Sequence, residues 1–447
     1  MLHRKGVAMV AACAALACTG IVRAGTADSD SGLLRPSFLD APATAEATTA
    51  PASQPAAPPK PLMGLLDATG IGKPLDDAGI SIGGFIEGGY TVSDHGDSAS
   101  VPLAGRLYDT KNNRIVLDQV DLFIDRPVDY GKAATNHTFD IGGHAEMVFG
   151  WDSGLNHSSG LLDNPATLGV GTGTYRSRTS PENQFDVVQA YLDFALPVGS
   201  GLRIRAGKFV TLLGAETINP TTNPIYSRSI LFSFAIPLTQ TGVMGEYKLS
   251  DDFLVDLGIT RGWNQTFKDN NGDPDILAEL TWSPQESDFL KKWKVILNLS
   301  EGPQGTHDNS NWWTVFDTVI TYTATDKLSL TLNADYGDIP HNPTIVGSEQ
   351  YFGLAAYAAY ALNKYATANV RGEYYVDDKG FTLGAAGHQT LSEVTVNCAL
   401  KPFPDDNVGQ NLVIRPEVRY DYSNKGFFRA GTHHDQLTFG IDAYFVF

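Results

Sequence analysis

The chain has 447 residues, with 45 Gly, 18 Tyr and 22 Phe against only 3 Cys and 5 Met, a mixture that suits strands and turns better than helical cores. At that length it holds two or three soluble domains or one large closed sheet, and an apolar content of 42% excludes a bundle of transmembrane helices. The formal charge of −18 argues against a nucleic-acid partner and suits a surface that binds cations or avoids anions.

In chain order, residues 1–24 have a basic start (His3, Arg4, Lys5), an apolar stretch from Val7 to Cys18, and Val22-Arg23-Ala24 as a small-residue cleavage site. This is the pattern of a secretory signal peptide cut after Ala24. Its removal takes Arg4, Lys5 and Arg23 and no acids, so the formal charge moves from −18 to −21. Cys13 and Cys18 leave with it, and Cys398 then has no partner for an intramolecular disulfide. Residues 25–79 form a Pro/Ala-rich leader, expected to be largely disordered, with prolines crowded between Pro51 and Pro61.

From residue 80 to 447 the hydrophobic pattern alternates with period two. Phe139, Ile141, Ala145, Met147, Phe149 and Trp151 share one face, with Thr138, Asp140, His144 and Glu146 on the other. Leu328, Leu330 and Leu332 oppose Ser329, Thr331 and Asn333 in the same way, and Val394, Val396, Cys398 and Leu400 oppose Glu393, Thr395 and Asn397. Ionised groups recur on the minor face too often for a dry core. Strands are expected at 80–92, 113–125, 137–152, 185–197, 201–210, 240–249, 252–263, 274–283, 292–300, 312–324, 326–336, 350–362, 365–376, 389–401, 411–422 and 435–447. That is about sixteen, an even number, as single-chain outer-membrane barrels require.

The connections sort by parity. After even strands come the short turns 199–201, 250–252, 324–327 and 363–364, with 126–136 and 402–410 longer. After odd strands come 93–112, 153–184, 211–239, 264–273, 301–311, 337–349, 377–388 and 423–434. A transmembrane antiparallel barrel has this asymmetry, with termini at the short-turn rim and long loops facing outward. Lipid covers the apolar face, which runs to the end of the chain in LTFGIDAYFVF, and the sheet must close because open edges are forbidden in hydrocarbon. Tyr90, Trp151, Trp263, Trp293, Trp312, Trp313 and Tyr365 fall near strand ends, as interfacial girdles do.

Residues 207–242 break the alternation. This third outer loop is proline-marked and apolar, with Leu231, Phe232, Phe234, Ile236 and Leu238 needing buried partners. Folding inward against the barrel wall would bury them and narrow the channel. Gly207-Lys208-Phe209, Gly214 to Glu216, Tyr226-Ser227-Arg228-Ser229, Ile236-Pro237 and Thr241-Gly242 resemble the signature of the OmpL-like beta-barrel porin family, from about Gly83 to Phe447. The resemblance implies an outer-membrane diffusion channel, with Glu216 and Arg228 where the family's recurrent Glu and Ser-Arg fall. Chemistry adds Arg203, Arg205 and Lys208 as companions at the constriction, provided a bulge near Gly207 turns Lys208 to the side of the two arginines. Asp121, His144, Glu146, Arg415, Glu417, Arg419 and Asp421 are the expected pore-lining residues, and their mixed signs speak against a single-anion specialist.

Other motifs carry less. Asp269, Asn271, Asp273 and Asp275 have calcium-loop spacing around Gly272 but no glutamate at the twelfth-ligand position, so an acidic outer loop is expected and no metal or cofactor. His157 and Ser159 stand two apart, as in an outer-membrane phospholipase, yet in a Gly- and Asn-rich loop, and no enzyme is expected. His433-His434 and the stretch 169–174 lack a ligand set and a following helix respectively. The expected function is passive or weakly selective diffusion of small hydrophilic solutes and ions across a Gram-negative outer membrane. The alternative is a structural or adhesion barrel whose loops bind an external partner. Expected partners are membrane lipid, outer-leaflet glycolipid, the barrel assembly machinery through the strand ending at Phe447, and a homotrimer.

Overall fold

The computed structural model describes residues 61–94, 102–162, 182–340 and 347–447. The signal peptide, the leader up to residue 60 and the stretch 169–174 lie outside them. Sixteen strands follow one another around the sheet: β1 (Ser81–Ser93), β2 (Arg114–Arg126), β3 (Asp140–Gly150), β4 (Gln184–Leu196), β5 (Leu202–Val210), β6 (Thr239–Lys248), β7 (Phe253–Thr260), β8 (Asp275–Trp282), β9 (Trp293–Gly305), β10 (Asp308–Thr323), β11 (Leu328–Ile339), β12 (Glu349–Asn363), β13 (Ala366–Asp377), β14 (Gln389–Leu400), β15 (Leu412–Ser423) and β16 (Asp435–Val446). Each pairs antiparallel with its chain neighbours, and β1 pairs β16, so the barrel closes.

The closing ladder runs from Phe85 opposite Val446 to Ser93 opposite Thr438. Phe447 extends it, its amide donating to the Gly84 carbonyl at 2.8 Å and its own carbonyl accepting from Gly84 at 3.1 Å. Closure leaves no free edge, the condition for a sheet in hydrocarbon. Alternation then sorts the side chains. Ile141, Met147 and Phe149, Leu257 and Ile259, Leu330 and Leu332, and Phe439 and Ile441 stand exposed on the outside, while Glu146, Asp256, Asn333, Thr438 and Asp442 are buried on the inside. A sheet that exposes its greasy face and buries its charges is built for a solvent of lipid. No helix among the described residues is long and apolar enough to cross a membrane.

Four features depart from the expected elements. Residues 61–79, assigned to a disordered leader, carry two short helices, α1 (Pro61–Ala68) and α2 (Gly72–Asp77). Pro61 opens α1, where its fixed φ and missing N–H suit the first helical position, and buried Met63 accepts the Ile82 amide at its sulfur at 3.3 Å. The expected loop 301–311 is instead a strand hairpin, because β9 runs to Gly305, β10 starts at Asp308 and His307 turns the corner at φ 57°. The glycines and proline of Gly302-Pro303 and Gly305 resemble loop punctuation, but the ladder passes through them until a register shift between Asp308 and Trp312.

Trp263 and Trp313 do not face lipid: both are buried inside, edge to face at 5.1 Å. Finally, the bulge expected near Gly207 is not in β5, which keeps register with β4 and β6, and the nearest irregularity is in β4 against β3. Register shifts where Val188 is skipped, between the Glu146–Gln189 and Met147–Val187 pairs, so Val188 and Gln189 both point inward.

The short rim holds 249–252, 324–327 and 364–365 between strands, and α3 (Tyr130–Asn136) occupies one of its longer connections. At the other rim, α4 (Ser153–Asn156) follows β3, and α5 (Ile230–Phe234) lies within the β5–β6 connection. Ile230, Leu231 and Phe232 of α5 join Trp263, Trp313, Tyr351, Tyr375, Leu383 and Phe428 in one buried apolar cluster. The Ser229 side chain caps α5 by accepting the Phe232 amide.

Candidate functional site: the loop latch and the charged wall

Residues 211–238 leave β5 and are bound by wall side chains of six consecutive strands. The Gly214 amide donates to Asp317 on β10 at 3.1 Å and the Ala215 amide to Asn333 on β11 at 3.2 Å. On β12, the Tyr357 hydroxyl donates to Glu216 at 3.1 Å. Asn369 on β13 and Asn397 on β14 donate to the Pro224 carbonyl at 3.2 and 3.0 Å. On β15, Glu417 accepts the amides of Tyr226 and Ser227 at 3.0 and 3.1 Å, and Arg415 donates to the carbonyls of Pro220 and Asn223 at 3.0 and 2.6 Å. A segment whose backbone groups would otherwise be orphaned in the barrel thus finds partners in the wall.

Arg371 on β13 is the hub. Its guanidinium reaches Glu216 at 2.8 Å, Glu393 at 2.7 Å and the Ser227 carbonyl at 2.7 Å, and it has no exposed side-chain surface. The planar fork lets one residue hold a loop carboxylate, a wall carboxylate and a loop carbonyl together. Glu216 also accepts the Ser229 amide at 2.7 Å. Arg228 makes no ion pair with Glu216. It donates instead to the carbonyls of Thr217, Tyr226 and Ile218 at 2.8 to 3.0 Å and sits over the Tyr108 ring at 5.3 Å. Glu216 and Arg228 are 4% and 2% exposed, so in this conformation both charges are spent within the loop and its anchors.

The expected grouping of five constriction residues separates into two. Arg203, Arg205 and Lys208 all turn inward, but β5 lies eight strands from β13, on the opposite side of the barrel from Arg371. Arg205 forms two parallel bonds of 2.9 Å to Asp193 and covers the Tyr191 ring at 3.8 Å. Arg203 is bonded to Glu246, and Lys208 donates to the Val187 carbonyl at 2.6 Å beside Asp186. Closeness in sequence to the loop therefore did not translate into closeness across the lumen.

The expected pore-lining residues all fall on the inner face. His144 contacts Asp125 at 3.0 Å and Glu146 at 3.5 Å, stacked between Phe123 and Tyr191, while Asp121 is 1% exposed. Arg415 bridges Asp442 and Glu87 at 2.6 and 3.2 Å. Arg419 bonds Asp421 at 2.7 Å and the Arg228 carbonyl at 2.7 Å.

Sequence reasoning missed Arg371, Glu373, Glu87 and Asp442, although strand parity places them on the charged face. It also missed the inward course of residues 102–112, where Arg106 reaches Asp421 and Thr438 at 3.1 Å and the Leu107 amide donates to Ser233 at 3.2 Å. In the stretch 269–275, Asp269 accepts the amides of Asn271 and Gly272, and Asn271 accepts that of Asp273. Those oxygens shape the turn, and among the described residues no group of three or more His, Cys, Asp or Glu is arranged to hold a metal.

Two solved structures share this architecture. The outer membrane channel DcaP of Acinetobacter baumannii is 13% identical, with a TM-score of 0.53 over 82% of this chain and 97% of that one. The high-pH structure of Pseudomonas putida OprB is 14% identical, with a TM-score of 0.51 over 85% and 97%. At such identities the likeness establishes the fold. No curated protein matches the sequence. The family model described as "Putative beta-barrel porin-2, OmpL-like" matches residues 79–447, the whole of the closed barrel with its latch, and the chain belongs to that family of outer-membrane porins.

Proposed function

We propose that this porin passes small hydrophilic solutes and ions passively, with weak selectivity, past a constriction set by residues 211–238. The observation that carries the proposal is the latch: inner-wall side chains of β13 and β15, above all Arg371, Arg415, Glu417 and Arg419, bind the loop's backbone. A barrel serving only as a scaffold for external adhesion has no use for a bridge across its own lumen. Swelling of liposomes carrying the purified protein tests this, with small sugars expected to enter faster than larger ones. Absence of size-dependent swelling would favour the adhesion reading.

The same proposal includes no catalytic activity. His157 is bonded to the Phe185 carbonyl at 3.0 Å, and Ser159 takes part in backbone bonds to Asn264 and Thr266, not in a nucleophile and base pair with His157. It also includes a homotrimer, to be checked by the size of the complex in mild detergent. Outer-leaflet glycolipid would surround the outer half, and the assembly machinery would recognise the strand ending at Phe447.

A further inference from the structure

One row of inward residues crosses half of the barrel wall in unbroken register. Arg203 on β5 stands opposite Glu246 on β6, Glu246 opposite Asp256 on β7, and Asp256 opposite Glu279 on β8. The row continues through Asn298 on β9 to Asp317 on β10 and Asp335 on β11. Its next member, Gly353, leaves a gap filled by Leu231 of the inward loop, whose Cδ1 lies 2.7 Å from where a Cβ would be.

Five carboxylates thus lie along six strands, Glu246, Asp256 and Glu279 directly opposite one another and Asp317 directly opposite Asp335 with Asn298 between the two groups, although like charges directly opposite destabilise a sheet. Arg203 is bonded to Glu246 and with Arg205 also acts on Asp256, and Lys294 acts on Glu279, but among the described residues no cation stands beside Asp335. The wall from β13 to β16 also sets Glu373 opposite Glu393 and Glu393 opposite Asp421, but there Arg371 reaches Glu373 and Glu393, Arg419 reaches Asp421 and Arg415 reaches Asp442.

A second observation points to a missing counter-charge. One carboxylate oxygen of Asp256 has no hydrogen-bond partner although the residue is 3% exposed, and Asp335, 1% exposed, has only the acidic Asp317 and the Asn333 side chain beside it among the described residues. Because strands about 4.8 Å apart tilt by about 40° in such barrels, a row perpendicular to them climbs as it goes round, here by about 15 Å over five steps. Carboxylates at that spacing can hand an ion from one to the next, provided each holds it weakly.

From this we infer that the row Glu246, Asp256, Glu279, Asp317 and Asp335 is a track for inorganic cations, which makes the porin cation-selective. The inference rests on the porin reading and adds the class of ion to it. Carboxylate oxygen is the ligand type of alkali and alkaline-earth ions.

The test is bilayer recording under a potassium chloride gradient, comparing the wild-type protein with the triple variant Asp256→Asn, Glu279→Gln, Asp335→Asn. The wild type should reverse at a potential of cation-selective sign, and the variant should reverse much closer to zero while keeping its conductance steps. Removing three like charges should also raise the variant's resistance to denaturant at low salt, a readout independent of conduction that confirms its folding. Unchanged reversal potential in a folded, conducting variant overturns the track, and leaves carboxyl pairs that merely share protons. Absence of conductance in the wild type would overturn the porin reading as well.

Discussion

At the scale of single residues the inward loop is held by buried charges of the wall. Arg371 is the clearest case, since its side chain is fully covered and binds Glu216, Glu393 and the Ser227 carbonyl. Arg371→Ala would leave carboxylates in a site shaped for a cation. Breaking a buried pair in that way costs about 3–5 kcal/mol, so the denaturation midpoint in detergent should fall markedly. Loss of the hub should also loosen residues 211–238, and single-channel records of the variant should show larger and noisier currents than the wild type. Glu216→Gln should do less, because its amide oxygen can take the Oε1 place and still accept from Tyr357 and Arg371, losing only the Ser229 amide, and Arg371 retains Glu393. Glu216 and Arg228 were legible from the motif around Tyr226, but their roles were not. Glu216's partner Arg371 lies 155 positions away and Arg228's partner Arg419 lies 191 away, and period-two alternation fixes which face a residue occupies without fixing its height or its place around the circumference.

At the scale of elements the strands were legible to within a few residues, because a two-sided solvent of lipid and water enforces strict alternation. Where alternation slips by one, the pattern stops being readable. In β5, Arg203, Arg205 and Lys208 share a side although their numbers do not share parity, and Gly207 between them has φ +142°. A Cβ there would lie 2.2 Å from the Ala190 carbonyl oxygen and 2.6 Å from the Tyr191 Cα, both backbone atoms that cannot step aside. Gly207→Val should therefore cost at least the ~1–3 kcal/mol of a strained backbone position, and part the β4–β5 ladder near its outer end. The heat-resistant, compact fraction on electrophoresis measures this, and it should shrink relative to the wild type. A variant at Gly384 is a fair control: its φ is also positive at 63°, but nothing lies within 4 Å of the added Cβ. The β9–β10 hairpin failed to announce itself for the opposite reason, since Gly302, Pro303 and Gly305 are loop-forming residues that the ladder nevertheless absorbs at its outer end.

At the scale of the whole molecule the fold follows from which solvent touches which face. Leu257 makes this testable, being 61% exposed near the middle of β7 while its neighbour Asp256 is buried inside. On a water-soluble protein an exposed leucine could become arginine within about 0.5 kcal/mol. On a lipid-facing strand the same change costs about 2–4 kcal/mol near the midplane and only about 0–1 kcal/mol near the interface. Leu257→Arg and Leu249→Arg therefore form a matched pair, because Leu249 is similarly exposed at 58% but lies in the short turn after β6. Unfolding both variants by denaturant from lipid vesicles should show a loss of stability for Leu257→Arg several times that for Leu249→Arg. In detergent micelles, which thin around a charge more readily than a bilayer, the gap should narrow. Equal losses in vesicles would mean that the outer face meets water, and the closure of β1 on β16 would then need another explanation.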